Sequence, residues 1–290
     1  MNLYKCVFIC ALYLLSGAHV GVIAQQASWL PEVKNANKPI RLLECTYNEA
    51  ELKQSKEVST ATDWDVRTEQ TTVNGGKTYT FTFTAQQDMK DAGVAVAFDQ
   101  YGWTSDNYVM IPSSVYNGNR QRIVNRAYAT GLDNTDYRRK DLALTSNPIP
   151  QLSPEYGAGS RLEVNISNTA TPAITILDRA KQKGIFLLTD QGIDWNNQVL
   201  DHALIVEETP DRSVASFIIS APGVRERKPE FIGFSKSPDR GVQVKKGDQI
   251  VIRVTEVIFP CKDVPELLAR FMKDRKSHAG GKAPRNLMPM

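Results

Sequence analysis

The residues best suited to chemistry are concentrated between Asp99 and Arg126. Aromatic rings, primary amides and guanidinium groups alternate along this stretch. Flat rings can cover the C–H face of a sugar, while amides and guanidinium groups bind its hydroxyls or a carboxylate. We therefore expect a carbohydrate-contacting site whose ligand-binding residues are Tyr101, Trp103, Tyr116, Asn117, Asn119 and Arg120. The alternative is a tyrosine-rich hairpin whose polar residues satisfy their own turn.

Two short elements would position these side chains. Residues 108–112 form an apolar run that predicts a short strand, and Pro112 ends that strand or confines it to an edge. Residues 116–120 predict a tight turn, because Asn117-Gly118 accepts positive φ at little cost.

Motifs for other kinds of catalysis are missing from the sequence. It contains no G-x-S-x-G, no phosphate-binding loop, no dinucleotide fingerprint and no EF-hand loop. His202 precedes a strand and is expected to be structural. Neither His202 nor His278 has a cysteine or second histidine at ligand spacing, so we expect no metal and no other cofactor.

A glycosidase or a polysaccharide lyase is also consistent with the sequence, because its catalytic carboxylates can come from distant loops. Such pairs are recognised by their spatial separation and not by their sequence spacing. The candidates near aromatic residues are Asp99, Asp106, Asp190 and Asp194. Residues 190–197 form a second polar and aromatic cluster, which either completes a ligand groove or is simply a loop. We favour the loop.

The first residues predict an export signal. A short basic start precedes an apolar run at 7–15, and Val22-Ile23-Ala24 places a small residue before Gln25. We expect residues 1–24 to be a signal peptide and the mature protein to be periplasmic, cell-surface or extracellular. The apolar run is too short to span a bilayer comfortably.

The remaining chain is long enough for one large β domain or two small ones. The formal net charge is only +3, which implies neither a nucleic-acid partner nor an anionic membrane. Cys45 and Cys261 lie near opposite ends of the folded region. In an oxidising compartment they could form a disulfide, and two buried free thiols are the alternative.

Short strands at close intervals predict an all-β antiparallel sandwich. The strongest pattern is at 77–84, where Tyr79, Phe81 and Phe83 alternate with threonines and pair as a hairpin with residues 64–67. Further runs predict strands at 93–98, 161–166, 173–177, 184–188, 203–208, 213–220 and 247–259. We assign 25–43 to an exposed lead-in and 44–260 to the sandwich.

Residues 261–290 differ in their sequence pattern from the predicted strands before them. The run Val264 to Lys273 predicts a helix with Pro265 in its first turn and an apolar face at Leu267, Leu268 and Phe271. The tail after it is basic and rich in glycine. We interpret the segment either as the start of a missing domain or as a frayed terminus.

The sequences Tyr101-Gly-Trp103 and 111–120 (IPSSVYNGNR) resemble the N-terminal region of large exported glycan-active proteins of gut-type Bacteroidetes. In strand pattern the resemblance extends over 61–259. It implies a β-supersandwich followed by an (α/α) toroid, which supplies most catalytic residues while the sandwich packs on it or lends loops to the cleft. The partners implied are a polysaccharide or oligosaccharide and a missing C-terminal toroid, of which the terminal helix would be the linker or first helix.

We therefore expect a non-catalytic exported sandwich domain that contacts glycan or supports a catalytic domain. A stand-alone structural or interaction scaffold is one alternative. A glycoside hydrolase or polysaccharide lyase with carboxylates from distant loops is the other.

Overall fold

A computed structural model describes residues 27–32, 34–58, 63–73, 75–104, 106–112, 161–166, 169, 171–196, 198–224, 227–230, 233–236 and 238–278. The strands are β1 (Ile40–Asn48), β2 (Glu51–Glu57), β3 (Trp64–Val73), β4 (Gly76–Ala85), β5 (Met89–Tyr101), β6 (Tyr108–Met110), β7 (Arg161–Asn165), β8 (Ala173–Asp178), β9 (Lys183–Thr189), β10 (Ile193–Trp195), β11 (Gln198–Leu200), β12 (Ala203–Glu208), β13 (Val214–Ala221), β14 (Arg227–Glu230), β15 (Gly233–Lys236), β16 (Val242–Val244) and β17 (Gln249–Pro260). One helix, α1, follows at Val264–His278.

The strands form two large antiparallel sheets that pack face to face. Sheet A has the order β2-β1-β5-β13-β12-β7, and β16 also pairs with β5. Sheet B has the order β3-β4-β17-β9-β8-β6, with β10 beside the start of β17 and β11 beside β10. Strands β14 and β15 make a separate hairpin. The predicted antiparallel β-sandwich with a short C-terminal helix is confirmed.

Alternation along β4 decides which face of sheet B is buried. Tyr79, Phe81 and Phe83 point into the core between the sheets, while the intervening threonines lie on the outer face. β4 pairs with β3 over its full length through a turn where Gly75 has a φ of +79°. A side chain at Gly76 would stand 2.7 Å from the Glu256 carbonyl oxygen, so the turn also needs glycine for close approach. The predicted hairpin is therefore confirmed.

The prediction of an exposed lead-in at 25–43 is correct at 34–39, where the residues are exposed, but wrong at Trp29 and in the part that belongs to β1. Strand β1 already begins at Ile40, and the side chain of Trp29 is only 1% exposed. The prediction failed because prolines and polar residues dominate this segment, and a single tryptophan produces no periodic pattern.

Helix α1 packs on the outer face of sheet B through the apolar face that the sequence predicted. Leu267 and Phe271 are buried in a cluster with Phe186, Phe259 and Cys261. The ring centroids of Phe186 and Phe271 lie 5.5 Å apart. Within the described ranges, no helix is long and apolar enough to cross a membrane.

Cys45 and Cys261 are free and buried, so the disulfide interpretation is wrong and the alternative of two buried thiols is confirmed. Cys45 is buried on the outer face of sheet A, whereas Cys261 is buried beneath α1 on the outer face of sheet B. The two thiols thus belong to separate apolar clusters, although their positions in the sequence suggested that the domain ends meet.

Candidate functional site

The predicted ligand-binding stretch begins on β5, whose middle residues are all buried. β5 is central in sheet A, pairing with β1 on one side and β13 on the other, and it leads directly to Tyr101. Near its end Asp99 forms a buried ion pair with Arg41, whose Nε lies 2.5 Å from Asp99 Oδ2. The hydroxyl of Ser216 donates to Asp99 Oδ1 over 2.6 Å. Asp99 is therefore a structural carboxylate in this fold.

Trp103 follows a turn at Gly102 and is buried, with 4% of its surface exposed. Its indole Nε1–H donates to Glu208 Oε1 over 2.5 Å, and its backbone N–H donates to the Ser213 carbonyl. Its ring meets Phe217 edge to face, with 5.5 Å between centroids. The expectation that Trp103 stands partly exposed for ligand stacking is wrong, because the indole anchors the stretch to the β12–β13 turn.

Tyr101 is the ligand candidate that the described structure leaves partly exposed. Its hydroxyl accepts a hydrogen bond from the backbone N–H of Asn35 over 3.0 Å, and its carbonyl accepts one from Lys181 Nζ over 3.3 Å. Tyr108, by contrast, is only 8% exposed and packs in the cluster under α1. One ring of the three described aromatic residues in this stretch thus remains accessible for stacking.

The remaining ligand candidates, Tyr116, Asn117, Asn119 and Arg120, lie outside the described residues. The structure does describe the strands on either side of this segment. β6 is the last strand of sheet B, and Ile111 after it is fully buried. The chain is next described at Arg161, where β7 forms the last strand of sheet A. The described chain therefore stops after the edge strand of one sheet and resumes at the edge strand of the other.

Hydrogen bonds fix the turn beside Tyr101. Asp211 accepts bonds from the Thr209 hydroxyl, the Lys34 ammonium and Ser213, and these bonds hold the pKa of its carboxyl well below the ordinary range. The side-chain oxygen of Asn107 accepts from the backbone N–H of Arg179 over 3.1 Å. The Asp211 bonds satisfy the β12–β13 turn, whereas the Asn107 bond joins the stretch to the chain between β8 and β9.

In the described part of the second cluster, 190–196, residues 193–195 form β10, which pairs with β11 and β17, so the loop interpretation is wrong for these three residues. Burial raises the pKa of Asp190, although the carboxylate pairs with Arg253. Asp194 lies on the exposed face of β10, and Trp195 packs partly against the core. The candidate carboxylates Asp99 and Asp190 are both engaged by arginines.

His202 is fully buried, as expected for a structural histidine. Neither of its ring nitrogens has a hydrogen-bond partner within the described part of the chain. Burial lowers its pKa to about 4, and the Asp201 carboxylate opposes this effect only in part. In the described ranges no three side chains among histidine, cysteine, aspartate and glutamate are grouped to hold a metal ion.

An open groove of about 570 Å³ lies at the other edge of both sheets, between β1–β2 and β3–β4. Its walls are mostly apolar and include Ile40, Leu42, Val58, Val66, Tyr79 and Phe81. Lys38 and Glu57 on the rim pair with each other at 2.8 Å. Because these charges cancel, that part of the rim gives no preference for an anionic or cationic ligand.

Sequence reasoning missed the partners that hold the stretch. Arg41 fell in the supposed lead-in, and Glu208 looked like the end of an ordinary strand. A usable signal was present, however. Both are charged residues within or beside apolar runs that predict buried strands, and a buried charge requires a partner.

Comparison with protein-family models gives no match, and no curated protein matches the chain. Among solved structures, the Slr1438 protein from Synechocystis sp. PCC 6803 is similar with a TM-score of 0.34 and 9% sequence identity. The alignment covers 76% of this chain and 62% of that chain, which is less than two thirds of the Slr1438 protein. A similarity of this size assigns neither a family nor a function.

Proposed function

We propose that the chain is an exported accessory β-sandwich module that contacts glycan through the Asp99–Arg126 stretch. In this proposal the module belongs to a polysaccharide-degrading protein of the supersandwich and toroid kind, and catalysis resides in the toroid. The amides and guanidinium at Asn117, Asn119 and Arg120 bind sugar hydroxyls or a carboxylate, and the rings of Tyr101 and Tyr116 cover the sugar face.

The observation that supports this proposal is the fixed base of the stretch. Asp99 is bound by Arg41, Trp103 is bound by Glu208, and Ile111 is fully buried after β6. Ordering a side chain on binding costs about 0.5–1.5 kcal/mol, so a stretch whose base is already ordered loses less affinity to that cost. Trp103 contributes as an anchor beneath the site, whereas the earlier expectation gave it direct contact with sugar.

A glycan panel tests the proposal. Full-length protein without the predicted signal is applied to immobilised neutral and acidic polysaccharides, beside a Tyr116→Ala variant and a Tyr47→Phe control on the outer face of sheet A. The proposal expects retention on at least one glycan, strong loss with Tyr116→Ala and no loss with Tyr47→Phe. Retention on no glycan, or equal loss with both variants, would contradict it.

A structural or interaction scaffold is the second candidate, and the burial of Trp103 and Tyr108 favours it. Two rings that a sugar site would need at its surface contribute to the core. On this account the stretch holds the edges of the sheets together, and the variant Arg120→Ala lowers stability without any change in glycan retention.

A further inference from the structure

The N-terminal segment of the described chain lies across the outer face of sheet A. We call residues 27–39 the strap. Glu207 accepts two hydrogen bonds of 2.9 Å from it, one from the Ser28 hydroxyl and one from the backbone N–H of Trp29. The Trp29 carbonyl accepts a 2.7 Å bond from Arg41 Nη2. Both polar groups of the Trp29 backbone are therefore bound by charged side chains of the sheet.

The Trp29 ring is buried in an apolar cluster on the outer face of sheet A, which we call the tryptophan socket and which includes Cys45, Tyr47, Ala95, Ala97, Ile205 and Ile218. The ring is 1% exposed, and the guanidinium carbon of Arg161 lies 6.0 Å from its centroid. Arg161 also donates to the Ala27 carbonyl over 3.4 Å. The socket thus combines an apolar floor with a cation beside the ring, which is chemistry that suits an aromatic side chain.

The residues that form the socket belong to the strands of sheet A and not to the strap. Its walls lie on β1, β5, β13 and β12, whose ladders pair with one another along sheet A. The strap adds no strand to the sheet. It is held by side chains distant in sequence, since Glu207 lies 178 positions beyond Trp29. The strap therefore contacts the sheet as a bound peptide would, through an anchor ring and hydrogen bonds to its backbone.

We propose that the tryptophan socket is a peptide-binding site, which the chain fills with its own strap and which accepts the Ser28-Trp29-Leu30 segment of a second copy. The chemistry is identical in the two arrangements, because exchange of the same element between copies keeps every contact. The attached strap competes at an effective concentration of roughly millimolar, so exchange needs either a comparable protein concentration or a defective strap.

Peptide binding to a vacated socket tests the proposal. The full chain carrying Trp29→Ala is titrated with an acetylated peptide of residues 25–35, and with the same peptide carrying the alanine substitution as a matched control. The native peptide should bind this variant at least tenfold more tightly than the control peptide, and at least tenfold more tightly than it binds the wild-type chain. Equal affinity of the two peptides, or no binding by the folded variant, would overturn the site.

Mixing two full-length variants tests whether the socket of one copy binds the strap of another. The Trp29→Ala chain offers an empty socket, whereas a Glu207→Ala chain offers an intact strap beside a weakened socket. Sedimentation of the mixture at about 1 mM should show a heterodimer that neither variant forms alone at this concentration. A mixture that stays monomeric would overturn exchange between copies.

If Trp29→Ala does not fold, hydrogen exchange of the wild-type chain tests the proposal instead. The Trp29 amide, bound by Glu207, and the Asn35 amide, bound by the Tyr101 hydroxyl, should exchange together and at least a hundredfold faster than the paired amides of β5. Protection equal to that of β5 would make the strap inseparable from the sandwich and overturn the proposal.

Discussion

The indole N–H of Trp103 donates to the carboxylate of Glu208, with 2.5 Å between Nε1 and Oε1 and both side chains buried. This bond joins the chain leaving β5 to the end of β12, two elements that are 105 positions apart in sequence. It makes the tryptophan of the predicted sugar site part of the core, and it ties that site to the body of sheet A.

Removing the indole N–H of Trp103 should therefore lower the free energy of unfolding. Trp103→Phe keeps most of the ring but leaves Glu208 without this donor, and a bond to a charged group contributes about 1.5–3 kcal/mol. Trp103→Ala should cost about 3–5 kcal/mol because it also opens a cavity. Urea denaturation measures both. Tyr101→Phe, which removes only a hydroxyl near the surface, is the control and should cost less than about 1 kcal/mol. Equal stability of Trp103→Phe and wild type would contradict this assignment.

The Arg41–Asp99 pair should show the asymmetry of a buried ion pair. Asp99→Asn leaves the Arg41 guanidinium buried without its counter-charge, which costs about 3–5 kcal/mol. Replacing both residues with apolar ones of similar volume, as Arg41→Met with Asp99→Leu, should recover most of that loss. Chemical denaturation of wild type, Arg41→Met, Asp99→Leu and the double variant closes a double-mutant cycle that measures the coupling. A double variant no more stable than Asp99→Asn would show that the Trp29 and Ser216 contacts matter more than the charge pair.

The burial of His202 predicts a specific loss of stability in acid. Its pKa is about 4 in the folded protein against the ordinary 6.5. The unfolded chain therefore takes up the proton at higher pH, and the free energy of unfolding falls as the pH drops from about 6.5 to about 4. At about 1.4 kcal/mol for each pKa unit, the fall is about 3 kcal/mol.

His202→Gln isolates this effect from the titrating carboxylates, which both proteins share. The stability advantage of wild type over His202→Gln should be larger at pH 7 than at pH 4 by about 3 kcal/mol. Parallel pH profiles of the two proteins would show that the histidine does not carry the acid sensitivity.

The thiols of Cys45 and Cys261 should remain reduced in the folded protein. Burial raises the pKa of the Cys45 thiol, and burial likewise raises that of Cys261. Both should resist alkylation in the native state and react fully in denaturant without a reductant. Mass spectrometry counts the added groups. A thiol pair that becomes reactive only after reduction would indicate the disulfide that the fold does not form.

Local patterns made much of this fold predictable. Alternation at Tyr79, Phe81 and Phe83 determines the buried face of β4, and the turn at Gly75 places the β3–β4 hairpin. Periodicity likewise predicted α1. What the sequence did not reveal depends on pairing across distance. The socket for Trp29 consists of residues from four strands, and the anchor for Trp103 is a glutamate more than a hundred positions away. Aromatic composition suggests a ligand surface and a buried anchor equally well, because the same ring serves both.

Isothermal calorimetry of one arginine variant tests the central proposal most directly. Once a glycan is found on the panel, wild type is compared with Arg120→Ala and with Arg67→Ala, a matched control whose guanidinium is exposed on β3 at the other edge of sheet B. The account predicts that Arg120→Ala weakens the affinity by about one to two orders of magnitude, since a charge-assisted bond contributes about 1.5–3 kcal/mol, and that Arg67→Ala leaves it unchanged. Equal affinities of Arg120→Ala and wild type, with both proteins folded, would contradict it.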